Sequence, residues 1–480
     1  MSTTNSDATV RQQPNNTRQN PKSDNSGKIP GKVFGAIIAS GLLSLSGVTV
    51  ETAMNVTFPT LMDQFKISTD TVQWVTTANL LTIAIVVPLS AMLKTRFRTK
   101  SLFMVANLSF LAGLVLEIAT TNFPLLVAGR VIQGVGAGIA LPLMFNIILE
   151  TVPPQKIGLM MGFGTLLTAV APAIGPTFGG IVVSNTSWKV IFVCLVPIVL
   201  ISLVLGIACI DQRSEIRHIK FDIPSIVLIA LTFCGLIFGF SSMTTKPLLS
   251  LQVAGAIVVG IVALALFCMR QLKIDAPIID IRTLKNLRFS GFALAFFLLQ
   301  AISLGLAFVL PNYLQLTDHS SALIAGLTLL PGAALGAVLA LLGGRIYDVV
   351  GPKPPLIFGG ACAIISMTCF FMFGHHLSSG MAAGFYLLYM LGIGLSSGNI
   401  MTTGLSHLGR HEQSMGNAIF NTAQQFAGAV GTSIAAAIVA AGQAGAADVA
   451  TGTAAGATMT FGVLLVALIV EFVDILRSLF

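Results

Sequence analysis

Three charged side chains stand inside otherwise apolar stretches, and they carry the chemistry most worth explaining: Glu51, Glu117 and Arg130. A charge held in hydrocarbon costs about 2.5 to 3.5 kcal/mol on insertion scales, so each is a functional candidate by default. A carboxylate in an apolar cavity binds a proton more tightly than one in water, and a nearby guanidinium opposes that. An acid beside an Arg can therefore take up and release a proton as its access to water changes. Glu51 is the first choice for that acid, Arg130 for the guanidinium, and Glu117 for a possible partner of Arg130. The rival reading of Arg130 is a fixed ion pair that pins two helices. Glu150, Glu471 and Asp474 stand nearer the ends of their runs, where interfacial solvation is expected instead of coupling.

The elements that must position these residues are membrane-spanning helices. The 480 residues are 55% hydrophobic and 9% charged, whereas soluble globular chains carry about a quarter charged residues. That composition excludes a soluble fold. Apolar runs of about 20 residues recur between short polar gaps, and each must hydrogen-bond its own backbone, which leaves helix as the reading. Spans are expected near 33–57, 72–93, 101–120, 124–148, 157–182, 190–210, 223–243, 249–269, 289–315, 321–344, 355–374, 379–402, 415–441 and 457–477. Residues 1–32 are polar without periodicity and read as a disordered tail, with no signal-peptide form.

Positive loops stay cytoplasmic. With the amino terminus inside, 22 of the 26 Lys and Arg residues fall in cytoplasmic segments, Lys66, Lys189 and Lys246 fall outside, and Arg130 lies within a span. Both termini are thus expected to be cytoplasmic. Glu51 lies about six residues from the outer end of the first span and Arg130 about six residues into the fourth, which puts both about 10 Å below the outer surface.

Other chemistries find no support. The six cysteines (Cys194, Cys209, Cys234, Cys268, Cys362, Cys369) fall in apolar runs without a C-x-x-C pair or histidine at ligand spacing, so neither disulfide framework nor metal site is implied. The net charge of +8 is scattered over loops and forms no stripe for nucleic acid. No nucleophile with a base and no phosphate-cradling loop stands out, which argues against an enzyme or an ATP-driven pump. Dense glycines at Gly134, Gly136 and Gly138, and at Gly162, Gly175, Gly179 and Gly180, allow close helix approach, and Pro172 and Pro176 are expected to kink the fifth helix.

The fourth span reads Arg130-Val131-Ile132-Gln133-Gly134-Val135-Gly136-Ala137-Gly138, and the fifth runs from Gly162 to Gly175-Pro176-Thr177-Phe178-Gly179-Gly180. The first ends in Glu51-Thr52-Ala53-Met54-Asn55-Val56-Thr57-Phe58-Pro59. These segments resemble the motifs of the major facilitator superfamily, specifically its fourteen-span drug/proton antiporter branch. The branch places an Asp where this chain has Val50, and the acid stands one position later as Glu51. After the second span the family expects G-x-L-x-D-R-x-G-R-K, a loop that latches two helical bundles. Here Ala91 to Lys100 keeps Arg96 and Lys100 but lacks the Asp and the glycines, whereas the copy in the other half, Gly344 to Lys353, keeps Gly344, Arg345 and Asp348.

The resemblance implies an all-α integral membrane protein of 14 transmembrane helices, with two pseudo-symmetric six-helix bundles and two extra helices between them. The expected domains are a tail at 1–32, an N-terminal bundle at 33–211, a two-helix insertion at 212–287 and a C-terminal bundle at 288–480. It implies proton-coupled export of hydrophobic or cationic drugs by alternating access from a plasma-membrane monomer, with no cofactor beyond the proton gradient and no nucleic-acid partner. Proton coupling would rest on Glu51 and Arg130, and conformational roles on Gly175, Pro176, Gly179, Gly180, Arg96, Arg345 and Asp348. Asn55, Gln133, Asn146, Gln300, Tyr313, Asn399, Asn421 and Gln425 would contact substrate, or else hydrogen-bond between helices. The rival functions are a dedicated exporter of one metabolite, lipid or peptide, and a non-transporting membrane sensor.

Overall fold

A backbone in an apolar stretch has to satisfy its own N–H and C=O groups, and this chain does so in long helices. A computed structural model describes residues 29–479 apart from 68, 73, 213–221, 243–249, 275, 276, 319, 321 and 411, so most of the expected tail lies outside it. The long helices are α1 (Gly31–Asn55), α2 (Trp74–Arg96), α3 (Thr99–Ala119), α4 (Phe123–Thr151), α5 (Ile157–Asn185), α6 (Lys189–Cys209), α7 (Ile223–Ser242) and α8 (Leu251–Lys273). They continue as α9 (Leu287–Leu316), α10 (Ala322–Val350), α11 (Lys353–Phe373), α12 (Ser379–Ser406), α13 (Gln413–Ala444) and α14 (Val449–Leu479). Among the described residues, 13 helices are long and apolar enough to cross a membrane; α5, with 29 residues, is the long helix outside that set. The protein is a multi-pass membrane protein.

Packing follows a regular order. α1 packs on α4, α5 and α6, α2 on α4, and α3 on α4 and α6. α9 packs on α12, α13 and α14, α10 on α12, and α11 on α12 and α14. The two sets meet along α5 and α10 and along α2 and α13, while α7 lies against both α2 and α13. α7 and α8 are joined at one end by Arg270, whose Nε and Nη2 donate to Asp222 at 2.8 and 2.7 Å. A second apolar cluster, with Ala84, Met92, Ile229, Phe233, Phe267, Ile278 and Ile279, seats this pair on α2.

Small residues set the interhelical distances. A Cβ at Gly136 would lie 2.9 Å from both the backbone nitrogen and the Cβ of Phe110, so α3 and α4 touch there. At Gly134 it would lie 2.8 Å from Thr82 Cβ and 3.0 Å from Asn79 O, which brings α2 equally close. Where hydrocarbon is as apolar as the side chains, such backbone approach carries much of the association between helices.

The segment between α1 and α2 falls between the expected spans 33–57 and 72–93. It contains a short helix, Phe58–Phe65, whose Leu61 is buried, and Trp188 Nε1 donates to Gln64 at 2.7 Å. Phe65 stacks edge-on against Phe123 and Trp188. This short helix therefore packs on the ends of α4 and α6 opposite the start of α1.

Gly136→Ala and Gly384→Ala should move stability in opposite directions. The first overpacks an α3–α4 contact and should cost about 1 to 3 kcal/mol. The second places its methyl where nothing lies within 4 Å and should gain about 0.5 to 1 kcal/mol from helix propensity. Thermal unfolding of the detergent-solubilised protein reads both, and equal midpoints would contradict the packing.

Candidate functional site

Arg130 is 0% exposed near the start of α4, so every guanidinium hydrogen has to find a partner inside the protein. Its Nε donates to Val75 O on α2 at 3.1 Å, and Nη1 donates to Gln133 Oε1 one turn along the same helix. Asn79 of α2 returns the contact, its Nδ2 donating to Arg130 O at 2.8 Å. Nη2 has no hydrogen-bond partner among the described residues. The guanidinium is thus held by α2 and α4, with donor capacity to spare.

Two carboxylates stand on the neighbouring helices, Glu117 on α3 and Glu51 on α1. Glu117, on α3, is 0% exposed, and neither of its oxygens has a hydrogen-bond partner among the described residues. It therefore does not snorkel to water. Room for it comes from Gly129, where a Cβ would lie 2.7 Å from Glu117 Cγ. One turn earlier on α3, a Cβ at Gly113 would lie 2.7 Å from Gln133 Cβ, so α3 and α4 are zipped at Gly113 and Gly129 with the acid and the amide between them.

Glu51 reaches the same region from α1. Gly47 faces Ala137 of α4, with its added Cβ 3.1 Å from Ala137 Cβ. Residues four apart share a helix face, so Glu51 continues the stripe that runs along α4 toward Gln133 and Arg130. It is half-buried and makes no hydrogen bond or ion pair among the described residues. The next residue, Thr52, meets α5: a Cβ at Gly175 would overlap Thr52 Oγ1 and lie 2.9 Å from Thr49 O, and one at Gly179 would lie 2.7 Å from Ala53 O. Gly180 stands apart from this contact, with Val56 Cγ1 at 4.0 Å. The side chains of Asn55, Pro172 and Pro176 lie outside the described residues.

The remaining polar candidates separate into two groups. Asn399 Nδ2 donates to Gly343 O at 3.1 Å and Leu395 O at 2.7 Å, and Tyr313 Oη accepts from Leu377 N at 3.1 Å. Asn146 Oδ1 accepts from Asn417 Nδ2 at 2.9 Å, and Asn421 Nδ2 donates to Asn417 Oδ1 at 2.7 Å. Asn399 and Asn146 thus join helices, Tyr313 holds the segment before α12, and Asn421 and Gln133 bond within their own helices. Gln300 on α9 and Gln425 on α13 differ: each is half-buried and makes no hydrogen bond among the described residues.

At the other end of the bundle, Asp348 accepts from the Gly158 and Leu159 nitrogens of α5 at 2.8 and 2.7 Å. Arg345 is exposed, and Arg96 lies 5.8 Å from the centroid of the Phe97 ring. Glu150 and Glu471 correct the expectation of plain interfacial solvation. Glu150 is ion-paired to Lys94, and Glu471 is 1% exposed with Oε2 unpartnered among the described residues. Sequence reasoning did not single out Asn79 or Lys94 as site residues. A lone amide and a Lys at the end of apolar runs were their only signals.

A buried Arg held between helices, with two acids within its field and glycines admitting them, is an arrangement that membrane carriers use for charge handling. Comparison with known proteins agrees on the kind of molecule. Residues 38–432 match the model of the Major Facilitator Superfamily. The chain belongs to the Major Facilitator Superfamily. It is 36% identical over 410 residues to the lincomycin resistance protein LmrB of Listeria innocua, covering 85% of this chain and 87% of that protein. It is 27% identical over 413 residues to a multidrug resistance protein B homolog of Mycobacterium tuberculosis, covering 82% and 75%. The crystal structure of the human organic anion transporter MFSD10 (TETRAN) superposes with a TM-score of 0.64 at 13% identity, covering 92% of this chain and 100% of that one. Membership in this superfamily makes the protein a transporter and not an enzyme.

Removing the cation should cost stability through the acid it leaves behind. Arg130→Met should lower stability by about 3 kcal/mol, as when one partner of a buried charged set is removed. Adding Glu117→Gln should recover part of that loss, measured as the thermal midpoint in detergent. A double variant no more stable than Arg130→Met would show that Glu117 does not depend on Arg130.

Proposed function

We propose that this superfamily member is a proton-coupled antiporter that exports hydrophobic or cationic drugs by alternating access. It would act as a fourteen-span plasma-membrane monomer with both termini in the cytoplasm. The observation that carries the reading is a fully buried guanidinium with Nη2 unpartnered among the described residues, beside a buried Glu117 on α3 and an uncommitted, half-buried Glu51 on α1. The resistance proteins that the chain resembles support the drug class. The recurring neighbour order of α1–α6 and α9–α14 supports two related six-helix halves with α7 and α8 inserted between them.

In this reading, the Lys and Arg distribution makes the Asp348 end cytoplasmic, and that end is closed by the contact of α5 with α10. Glu51 and Arg130 then lie toward the outside. A proton arriving from outside binds a Glu51 carboxylate oxygen and removes one of two negative charges from the field of Arg130. Substrate held against the ionised acid is released outward, and the emptied carrier carries the proton inward. Loss of that proton to the cytoplasm restores the anion for the next substrate. Gln300 and Gln425, uncommitted and half-buried, are the amides best placed to contact substrate. The glycine contact of Gly175 and Gly179 with α1 would let α5 move with α1 as a unit.

Glu51→Gln keeps the shape and a hydrogen-bonding head but cannot exchange a proton. It should reduce proton-driven dye or lincomycin efflux in inverted vesicles by about tenfold or more, with an unchanged thermal midpoint. Uncoupled exchange of labelled substrate across the membrane should survive. Wild-type efflux by this variant would defeat the mechanism.

A further inference from the structure

Lys94 occupies a place that its charge does not explain on its own. It stands near the end of α2, is 5% exposed, pairs with Glu150 near the end of α4, and donates through Nζ to Ser414 Oγ of α13 at 2.9 Å. The first contact lies within the α1–α6 set and the second crosses to the α9–α14 set. Helix macrodipoles decide what each contact is worth. A cation is favoured at the carboxyl ends of α2 and α4, where it also offsets Glu150, an anion that the carboxyl end of α4 disfavours. The same cation gains nothing from the dipole at the amino end of α13. It holds α13 through a charge-assisted hydrogen bond to a hydroxyl.

The contact does not stand alone along α13. Ser414, Asn417 and Asn421 are three and four residues apart and share one face. Asn417 Nδ2 donates to Pro142 O and to Asn146 Oδ1 of α4, each at 2.9 Å. A single stripe of α13 thus bonds a Lys on α2 and an amide on α4. The opposite seam has a different design, with Asp348 accepting two backbone N–H groups at the amino end of α5, a site where the dipole favours an anion. The segment equivalent to Asp348 in the first half carries Thr95 and no acid.

The geometry points to Lys94, held by Glu150, as the positioning residue that keeps this end of the bundle shut along the α2–α13 seam, by bonding Ser414 in place of an acid on the helix terminus. This rests on the alternating-access reading above for its use in transport. It concerns only which contacts close one end, so it stands or falls without substrate or proton gradient.

Distance measurement on the full chain tests it. Spin labels are attached at Arg98→Cys and Glu412→Cys, both exposed positions flanking the seam, after the native cysteines are replaced by alanine. Lys94→Met should shift the distribution toward longer separations, raising the ratio of open to closed forms by about tenfold, the change that about 1.4 kcal/mol makes. Ser414→Ala, which leaves the Lys94–Glu150 pair intact, should shift it in the same direction by less, without lowering the thermal midpoint. The exchange Lys94→Glu with Glu150→Lys re-forms the pair and gives Ser414 a carboxylate to donate to, so it should restore the closed distribution. Distributions for Lys94→Met or Ser414→Ala that superimpose on the parent overturn the proposal, as does an exchange variant as open as Lys94→Met. Should Lys94→Met fail to fold, Ser414→Ala and the exchange variant decide. A carrier that moved no drug would leave these outcomes unaffected, which separates failure of the gate from failure of the function.

Discussion

A guanidinium that never meets water dictates much of this architecture. Arg130 is fully buried near one end of a 29-residue helix. Leaving a buried donor unpaired costs about 1 to 3 kcal/mol, and more where it is charged. Hydrogen bonds to Val75 O and Gln133 answer part of that need, and the first can form only if α2 lies against α4. Asn79, bonding back to Arg130 O, and Gly134, which removes the side chain between the helices, are the local means. The apolar runs around these residues would pack in many registers. The Arg selects one.

The same charge explains why two acids are tolerated nearby. Glu117 is buried on the helix that packs against α4 and has no hydrogen-bond partner among the described residues, so an opposite charge on α4 is what would offset its burial. Glu51 is less enclosed and stands at the junction of α1 with α4 and α5, one residue from the Thr52 contact with Gly175. An acid at a helix junction is where a change of helix position changes access to water, and in the proposed exchange that is its task. Arg130 and Glu117 would then be the fixed partners and Glu51 the variable one.

Much of the fold was legible because the bilayer imposes a coarse code: runs of about 20 apolar residues and positive loops on one side. Most long helices begin and end within a few residues of the expected spans, as at α1 (Gly31–Asn55) against 33–57, whereas α14 (Val449–Leu479) starts eight residues before 457. Glu51 and Arg130 were legible for the related reason that charge in hydrocarbon is conspicuous. The short helix Phe58–Phe65 was not, since eight residues with alternating exposure give no span-length signal. Amides were the hardest to read. Asn399 and Asn146 carry the same side chain as any substrate ligand, and only their neighbours reveal that they bond Gly343 O and Asn417 instead. Lys94 was hidden by position, because a Lys at the end of a span looks like an ordinary topological anchor until its burial and its reach to Ser414 are seen.

The two seams at the Asp348 end bear on how such a carrier keeps two conformations close in free energy. Each neutral hydrogen bond contributes about 0.5 to 1.5 kcal/mol and each charge-assisted one about 1.5 to 3 kcal/mol. The bonds of Asp348 to α5, with those of Asn417 and Ser414, therefore sum to several kcal/mol before the entropy and hydration of the open form are counted. Two states that interconvert during turnover differ by only a few kcal/mol. In the proposed alternating-access cycle, the closed end would accordingly be opposed by strain, or by bonds that only the open form makes. Backbone approach is the natural opponent on the α5–α10 seam, where a Cβ at Gly162 would overlap Ala340 O and one at Gly344 would lie 2.7 Å from Gly158 C. Contacts that tight hold when made and vanish with a small displacement, since dispersion falls steeply with distance. Polar bonds of the α2–α13 seam stretch and exchange with water more gradually. A carrier closed by one abrupt seam and one yielding seam would have to release both before that end opens, and α7, packed on both α2 and α13, bridges the second.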